Sequence, residues 1–159
     1  MQNGTFDPYK GMDNLNFEDY VLTKEGSKNF GEITIEIANK IRRQTGKIRL
    51  RIGLHQGKKN DFGMLHIERT ERLKQLKENN FNNACELVQY VAGSFDVIYK
   101  GNGLRLILSK RGIKNDISIF IELISFNNEE FYDVKTGFIS RKNYLKNKIP
   151  LWEKPQSGI

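Results

Sequence analysis

The sequence predicts an α+β domain in which N-terminal helices pack on a four-stranded antiparallel sheet. Apolar residues recur at helical spacing up to residue 93 and then alternate with polar residues along four segments. Short turns separate those segments, and short turns make neighbouring strands run antiparallel. The 159 residues are enough for one domain with its own core.

The first 29 residues differ in composition from the rest of the chain. Glycines, Pro8 and polar residues outnumber scattered apolar ones, which is typical of a loosely ordered arm or linker. We therefore divide the chain into an arm over 1–29 and a domain over 30–159. The N-terminus does not resemble a signal peptide. No apolar run approaches the roughly 18 residues of a membrane span, so no membrane partner is expected.

The first element of the domain has two interpretations. Alternation at Ile33, Ile35 and Ile37 is typical of a strand, whereas Thr34 is a good N-cap for a helix that continues through Ile37. We favour the helix and expect Gly46 to end it.

Further elements follow in the first half of the chain. Residues 47–54 alternate Lys47, Arg49 and Arg51 with isoleucine and leucine, which predicts a strand with one basic face. A loop over 57–63 precedes a predicted helix from 66 to about 78. A second helix over 83–93 contains Cys85, the one cysteine, which we interpret as a core thiol.

The second half supplies the predicted sheet. Four strands are expected over 95–100, 104–110, 117–125 and 131–139, joined by turns that are rich in glycine and asparagine. The tail over 141–159 is predicted to form a short basic helix or turn followed by an irregular segment.

Polar residues of these strands share one parity. If the strands form a meander, they gather on an open face of the sheet, although a solvated face without function gives the same pattern. These residues are Arg105, Ser109, Ser118, Glu122, Asp133 and Lys135. Thr136 has the other parity and is expected to pack, unless a bulge at Gly137 turns it.

The sequence contains no phosphate-binding glycine loop, no metal-ligand spacing and no nucleophile elbow, so neither a cofactor nor a metal is expected. The net charge of +7 is compatible with a polyanionic partner such as RNA, and also with a merely basic surface.

The two histidines, His55 and His66, suit metal-independent RNA cleavage. One group takes the 2′-OH proton, another protonates the leaving oxygen, and cations stabilise the phosphorane. Each histidine taken alone is equally compatible with a structural or surface role.

Several local motifs, in their order and spacing, resemble the BECR (barnase/EndoU/colicin/RelE-like) nucleases, above all the phage and polymorphic-toxin branch. The match covers most of residues 30–154. The matching segments are Phe30-Gly-Glu-Ile-Thr, Gly46-Lys-Ile-Arg-Leu, Phe62-Gly-Met-Leu-His-Ile-Glu, Asp96-Val-Ile-Tyr, Arg105-Leu-Ile-Leu and Tyr132-Asp-Val-Lys-Thr-Gly-Phe.

This resemblance implies a toxin-type endoribonuclease in which His66, Lys135 and Thr136 belong to the catalytic site. For Thr136 it contradicts the alternation argument, and we follow the resemblance. Relatives often carry a second histidine five residues after the first, which this chain lacks. Either His55 or a basic residue such as Arg69 takes that role, or activity is reduced. Substrate contacts are expected from Arg51, Arg69, Lys100, Arg105 and Ser109.

The resemblance also implies partners and a location. RNA, with tRNA as one candidate, is the substrate, and an acidic inhibitor or immunity protein covers the site. The domain acts in the bacterial cytoplasm, delivered as the C-terminal part of a larger secreted or phage protein. The alternatives are a non-catalytic RNA-binding module with Phe120 and Phe131 as stacking residues, a structural module on the same fold, and an ADP-ribosyl transferase, for which we find no nicotinamide pocket.

Overall fold

The computed structural model describes residues 4–9, 16–57 and 59–155. Within these ranges the chain forms nine strands and four helices. In chain order they are β1 (Thr5–Phe6), β2 (Tyr20–Val21), β3 (Gly31–Ile33), α1 (Ile35–Ile41), β4 (Gly46–Arg49), α2 (Gly63–Ile67), α3 (Thr70–Glu78), α4 (Ala84–Ser94), β5 (Val97–Lys100), β6 (Leu106–Lys110), β7 (Asn115–Phe126), β8 (Glu129–Arg141) and β9 (Pro150–Glu153).

The main sheet has seven strands in the order β3-β4-β8-β7-β6-β5-β9. Only β4 and β8 pair in parallel in this sheet, whereas the other neighbours are antiparallel. A second, two-stranded sheet joins β1 to β2 in parallel. The expectation of a four-stranded antiparallel sheet is therefore wrong, and the fold is mixed α/β.

The four predicted strands do exist as the meander β5–β8, with the expected antiparallel neighbours. The error arose at the edges of that meander, where β4 pairs in parallel with β8, and β9 pairs with β5. Both additions satisfy strand edges that would otherwise be left with unpaired backbone groups. Segment 150–153 was expected to be irregular because a four-residue strand that contains Pro150 carries almost no periodic signal.

The helix predicted from 66 to about 78 is instead two helices, α2 and α3, and neither starts with a side-chain cap. Helices α1 and α4 do begin at good caps. Thr34 accepts a hydrogen bond from the Ile37 amide at 3.3 Å, and Asn83 accepts one from Glu86 at 2.9 Å. The helical interpretation of residues 34–41 is thus confirmed. Its predicted end at Gly46 is wrong, because α1 ends at Arg42 in a left-handed conformation and Gly46 begins β4. In the described part of the chain, no helix has the length and apolarity needed to cross a membrane.

The main core lies between one face of the large sheet and the helices. Helix α4 contributes Leu87, Val88 and Val91, each fully buried, as the helical spacing predicted. Cys85 is also buried and its thiol donates to the Leu22 carbonyl at 3.3 Å, which confirms the core assignment. A smaller apolar cluster of Ile107, Phe138 and Leu145 covers the opposite face.

Parts of the predicted N-terminal arm pack against this core. Phe6 and Val21 are buried members of the main cluster, and the amide of Val21 donates to the carbonyl of Leu50 at 2.8 Å. The boundary at residue 29 stays a prediction, and segments 1–3 and 10–15 of the arm lie outside the described residues.

Candidate active site

Two glycines bring the histidines together. Gly53 and Gly63 have φ values of +77° and +82°, and a Cβ on Gly53 would overlap the carbonyl of Phe62. This close crossing is held by a pair of hydrogen bonds between Leu54 and Phe62, at 2.9 and 3.1 Å. The chain therefore leaves through the 55–61 loop and returns at the start of α2, which places His55 beside His66.

The two imidazoles are in direct contact. Nδ1 of His55 lies 3.1 Å from Nδ1 of His66, and the ring centroids are 5.2 Å apart. His66 is half-buried in α2, whereas His55 is exposed in the loop. A separation of 3.1 Å leaves room for one proton between the two nitrogen atoms, so the rings share a single N–H···N hydrogen bond.

Asp61 completes one side of this pair. Its Oδ2 lies 3.3 Å from Nδ1 of His55. The same carboxylate accepts backbone hydrogen bonds from Gln56 at 3.0 Å and from Gly57 at 2.8 Å, which closes the loop around it. The carboxylate is thus oriented toward His55 by the backbone itself.

Arginines lie on the other side of His66. Nη1 of Arg69 donates to the His66 carbonyl at 2.8 Å and lies 3.3 Å from its Nε2. Arg69 and Arg72 also line a groove of about 430 Å³ along α3, whose other lining residues are Glu71, Lys74, Gln75 and Glu78. Nε of Arg69 pairs with the exposed Glu71 at 3.2 Å. Burial lowers the pKa of Arg72, and the nearby charge of Arg69 lowers it further. The three cations of the groove outnumber its two carboxylates, Glu71 and Glu78, which favours an anion at Arg69 and Arg72.

The contacts of His66 define its protonation. Arg69 can only donate, so Nε2 of His66 accepts, and the proton of the neutral ring then resides on Nδ1 and points at His55. Burial lowers the pKa of His66, and the positive charge of Arg69 lowers it further, whereas the Asp61 carboxylate acts in the opposite direction. His66 is therefore neutral at pH 7 and able to accept a proton.

His55, Asp61 and His66 also form a group that could hold a metal ion, since their ligand atoms lie within 4.8 Å of one another. Two features oppose a cation there. A histidine that binds metal through Nδ1 carries a proton on Nε2, which in His66 would face the guanidinium of Arg69 at 3.3 Å. The positive charge of Arg69 itself repels the ion.

Arg51 and Lys135, two predicted site residues, belong to a buried ion network instead of facing a groove. Asp133 is fully buried and accepts from Arg51 at 3.0 and 2.8 Å and from Lys135 at 2.8 Å. The guanidinium of Arg51 lies 4.5 Å from the ring centroid of Phe62, the residue that precedes α2. The network thus supports the start of the helix that carries His66.

Thr136 follows a bulge in β8. Phe120 pairs with Thr136 and Ile121 pairs with Val134, so Lys135 is the extra residue and Thr136 faces the side opposite Val134. Alternation grouped Thr136 with Val134 and Phe138: the bulge, which lies at Lys135 and not at Gly137, separates it from Val134, but it still shares the face of Phe138. Within the described part of the chain, Thr136 makes no hydrogen bond with either histidine.

The remaining predicted residues lie apart from the histidine pair. Ser109 is buried and accepts from Ser118 at 2.9 Å, and Arg105 pairs with Glu122 at 3.3 Å. Lys100 lies on β5, three strands from β8, or about 14 Å at the usual strand spacing. The polar face exists as predicted but is not open, because Ser109, Ser118 and Asp133 are all buried.

Sequence reasoning missed Asp61 and Arg72. A carboxylate in a loop between two glycines, close to a histidine on either side, was a weak signal for Asp61. Arg72 stands three residues after Arg69, a spacing that puts both on one face of a helix.

The chain matches no family model, and neither a curated protein nor a solved structure matches it. The resemblance to BECR nucleases therefore depends on the sequence motifs alone.

Proposed function

We propose that the chain is a metal-independent endoribonuclease of the toxin type, and that it cuts RNA through attack of a ribose 2′-OH on the adjacent phosphorus. The observation that carries this proposal is the contact between His55 and His66 beside Arg69. It combines groups that move protons near neutral pH with a cation for the phosphate. Both candidates for the missing second family histidine, His55 and Arg69, touch His66.

The reaction proceeds as a proton relay. The phosphate binds Arg69 and Arg72, which draws the Arg69 guanidinium away from Nε2 of His66. That nitrogen takes the 2′-OH proton while the 2′-oxygen forms a bond to phosphorus. The Nδ1 proton of His66 passes to Nδ1 of His55, and the Nε2 proton of His55 passes to the leaving 5′-oxygen as the P–O5′ bond breaks. The products are a 2′,3′-cyclic phosphate and a 5′-hydroxyl.

Asp61 and the arginines assist this relay at two points. After the transfer, the new Nδ1 proton of His55 faces the Asp61 carboxylate, 3.3 Å away. Arg69 and Arg72 neutralise the charge that grows on the equatorial oxygens of the phosphorane. The resting tautomers return when the Nδ1 proton goes back to His66 and water exchanges the outer protons.

The proposal extends to the biological setting that the resemblance implies. The substrate is RNA, with tRNA as one candidate, cut in the bacterial cytoplasm after delivery as part of a larger secreted or phage protein. An acidic immunity protein covers the groove along α3, where its carboxylates replace the phosphate at Arg69 and Arg72.

The test is to incubate purified protein with total bacterial RNA in excess EDTA, beside His66→Ala and His55→Ala purified in parallel. The expected result is discrete fragments that end in cyclic phosphate, with a loss of at least about 100-fold in each variant. A matched control is Arg111→Ala, which removes an exposed cation in the turn after β6 and leaves cleavage unchanged.

Three outcomes would overturn the proposal. Intact RNA that still shifts in a gel would favour the non-catalytic RNA-binding module. Cleavage that disappears in EDTA and returns with zinc would instead favour a hydrolytic metal at His55, Asp61 and His66. Cleavage that survives in His66→Ala would remove the histidine pair from the mechanism.

A further inference from the structure

A second cavity, of about 360 Å³, lies at the end of β8 and beneath the turn that follows it. Its volume falls within the range of small-ligand sites. The side chains that line it include Arg72, Phe138, Ser140, Arg141, Asn143 and Tyr144.

This cavity is connected to the histidine pair through α3. Arg72 lines both this cavity and the groove that contains Arg69. Its position is fixed by a 3.1 Å hydrogen bond to Gln75, which in turn donates to the carbonyl of Ile139 on β8 at 3.0 Å. A nucleic-acid strand whose phosphate lies at Arg69 therefore reaches the cavity by passing over Arg72.

The walls of the cavity are aromatic and cationic. The Tyr144 ring is 68% exposed, and it meets the Phe138 ring edge to face at 5.6 Å between centroids. The guanidinium of Arg72 lies 5.9 Å from the Phe138 centroid. Exposed aromatic rings next to arginine are the surfaces on which unpaired nucleobases stack.

A polar group in the wall lacks a partner. The hydroxyl oxygen of Ser140 is buried and makes no hydrogen bond to any described residue. Buried polar atoms in proteins almost always have a partner. An unsatisfied hydroxyl in the cavity wall is a candidate hydrogen-bond partner for a bound ligand.

We propose that this cavity binds one unpaired nucleobase of a single-stranded RNA, stacked on Tyr144, beside the phosphate held by Arg69 and Arg72. This inference rests on the proposed function and names its substrate class, which is single-stranded and not duplex RNA. Bases in an A-form duplex are stacked on their neighbours and cannot enter a pocket of this kind. Arg141 at the rim faces the backbone of the same nucleotide.

The test measures binding without cleavage. The probe is a single-stranded oligonucleotide with 2′-O-methyl riboses, which lacks the attacking hydroxyl, and its affinity is read by fluorescence anisotropy. We expect Tyr144→Ala to weaken binding by about 5-fold to 100-fold, the usual effect of losing a stacking ring. Tyr144→Phe retains the ring and the affinity. Tyr90→Ala, which removes an aromatic ring 43% exposed on α4, leaves binding unchanged.

The outcomes separate the two proposals. A Tyr144→Ala protein that binds the probe as tightly as the wild type would overturn the nucleobase site, whether or not the protein cleaves RNA. Equal affinity for a duplex of the same sequence would also overturn it. Tyr144-dependent binding by a protein that cuts no RNA would support the site and contradict only the nuclease mechanism.

Discussion

The Nδ1 atoms of His55 and His66 lie 3.1 Å apart, although eleven residues separate them in the chain. The contact exists because Gly53 and Gly63 let two backbone segments cross at a distance that any Cβ would prevent. The two rings therefore share one N–H···N hydrogen bond across this crossing.

The first prediction concerns pH. Burial and the Arg69 charge hold the pKa of His66 below its usual value of 6.5. We therefore expect the proposed cleavage to decrease only when the pH falls through this lowered pKa. Arg69→Met removes a positive charge that opposes the imidazolium, so the pKa of His66 rises toward 6.5. NMR titration of the ring protons measures both values without any assay of activity. An unchanged titration in Arg69→Met would contradict the assigned contact.

The lowered pKa of His66 also makes the stability of the fold depend on pH. The unfolded chain binds a proton at His66 at higher pH than the folded chain does. The contribution of His66 to the free energy of unfolding is therefore at its full value above about pH 6.5. It is lost as the pH falls through the lowered pKa of the folded state. Urea unfolding at pH 7.5 and 5.5 shows a larger decrease for the wild type than for His66→Gln if this linkage holds.

The second prediction concerns the glycine crossing. Gly53→Ala places a Cβ against the Phe62 carbonyl and forces a left-handed conformation on alanine, and Gly63→Ala meets the Arg51 carbonyl at 2.6 Å. A left-handed residue alone costs about 1–2 kcal/mol. We expect the free energy of unfolding to decrease by more than this amount in both variants. Gly26→Ala is the matched control, since its φ of +87° is similar and nothing lies within 4 Å of the new Cβ. Equal losses in all three variants, measured by chemical denaturation, would show that the crossing is not close.

The third prediction concerns the buried charges. Arg51→Met leaves the fully buried Asp133 with only Lys135, so the free energy of unfolding decreases by about 3–5 kcal/mol. The control is Arg111→Met, which breaks an exposed pair with Glu153 and costs less than about 1 kcal/mol. Urea denaturation compares the two variants. Similar small losses would mean that Arg51 is replaceable by solvent or by Lys135.

The fourth prediction concerns the thiol. Burial raises the pKa of Cys85 to about 12, so almost no thiolate exists near neutral pH. We expect iodoacetamide at pH 8 to leave the folded protein unmodified and to alkylate Cys85 fully in denaturant, as mass spectrometry reports. Rapid alkylation of the folded protein would contradict both the core assignment and the absence of a cysteine nucleophile.

Several parts of this architecture followed from local patterns. Thr34 and Asn83 stand as caps before apolar residues at helical spacing, and the strands of the meander alternate clearly between Val97 and Arg141. The two histidines were the candidate acid–base groups because few other side chains titrate near pH 7.

The bulge at Lys135 shows why other parts could not be predicted. Parity along β8 reverses at one residue because of its pairing with β7, and no local pattern reports that pairing. For the same reason, Arg51 and Lys135 read as free cations in the sequence, whereas Asp133 neutralises part of their charge inside the fold.

By itself, the sequence determined the starts of α1 and α4, the meander, the buried cysteine and the identity of the histidines, because these depend on residues a few positions apart. The tertiary structure alone decided that β4 and β9 extend the sheet, that His55 meets His66, and that Arg72 joins the histidine pair to an aromatic cavity. Those outcomes depend on contacts between distant segments, where packing and strand pairing outweigh local preference.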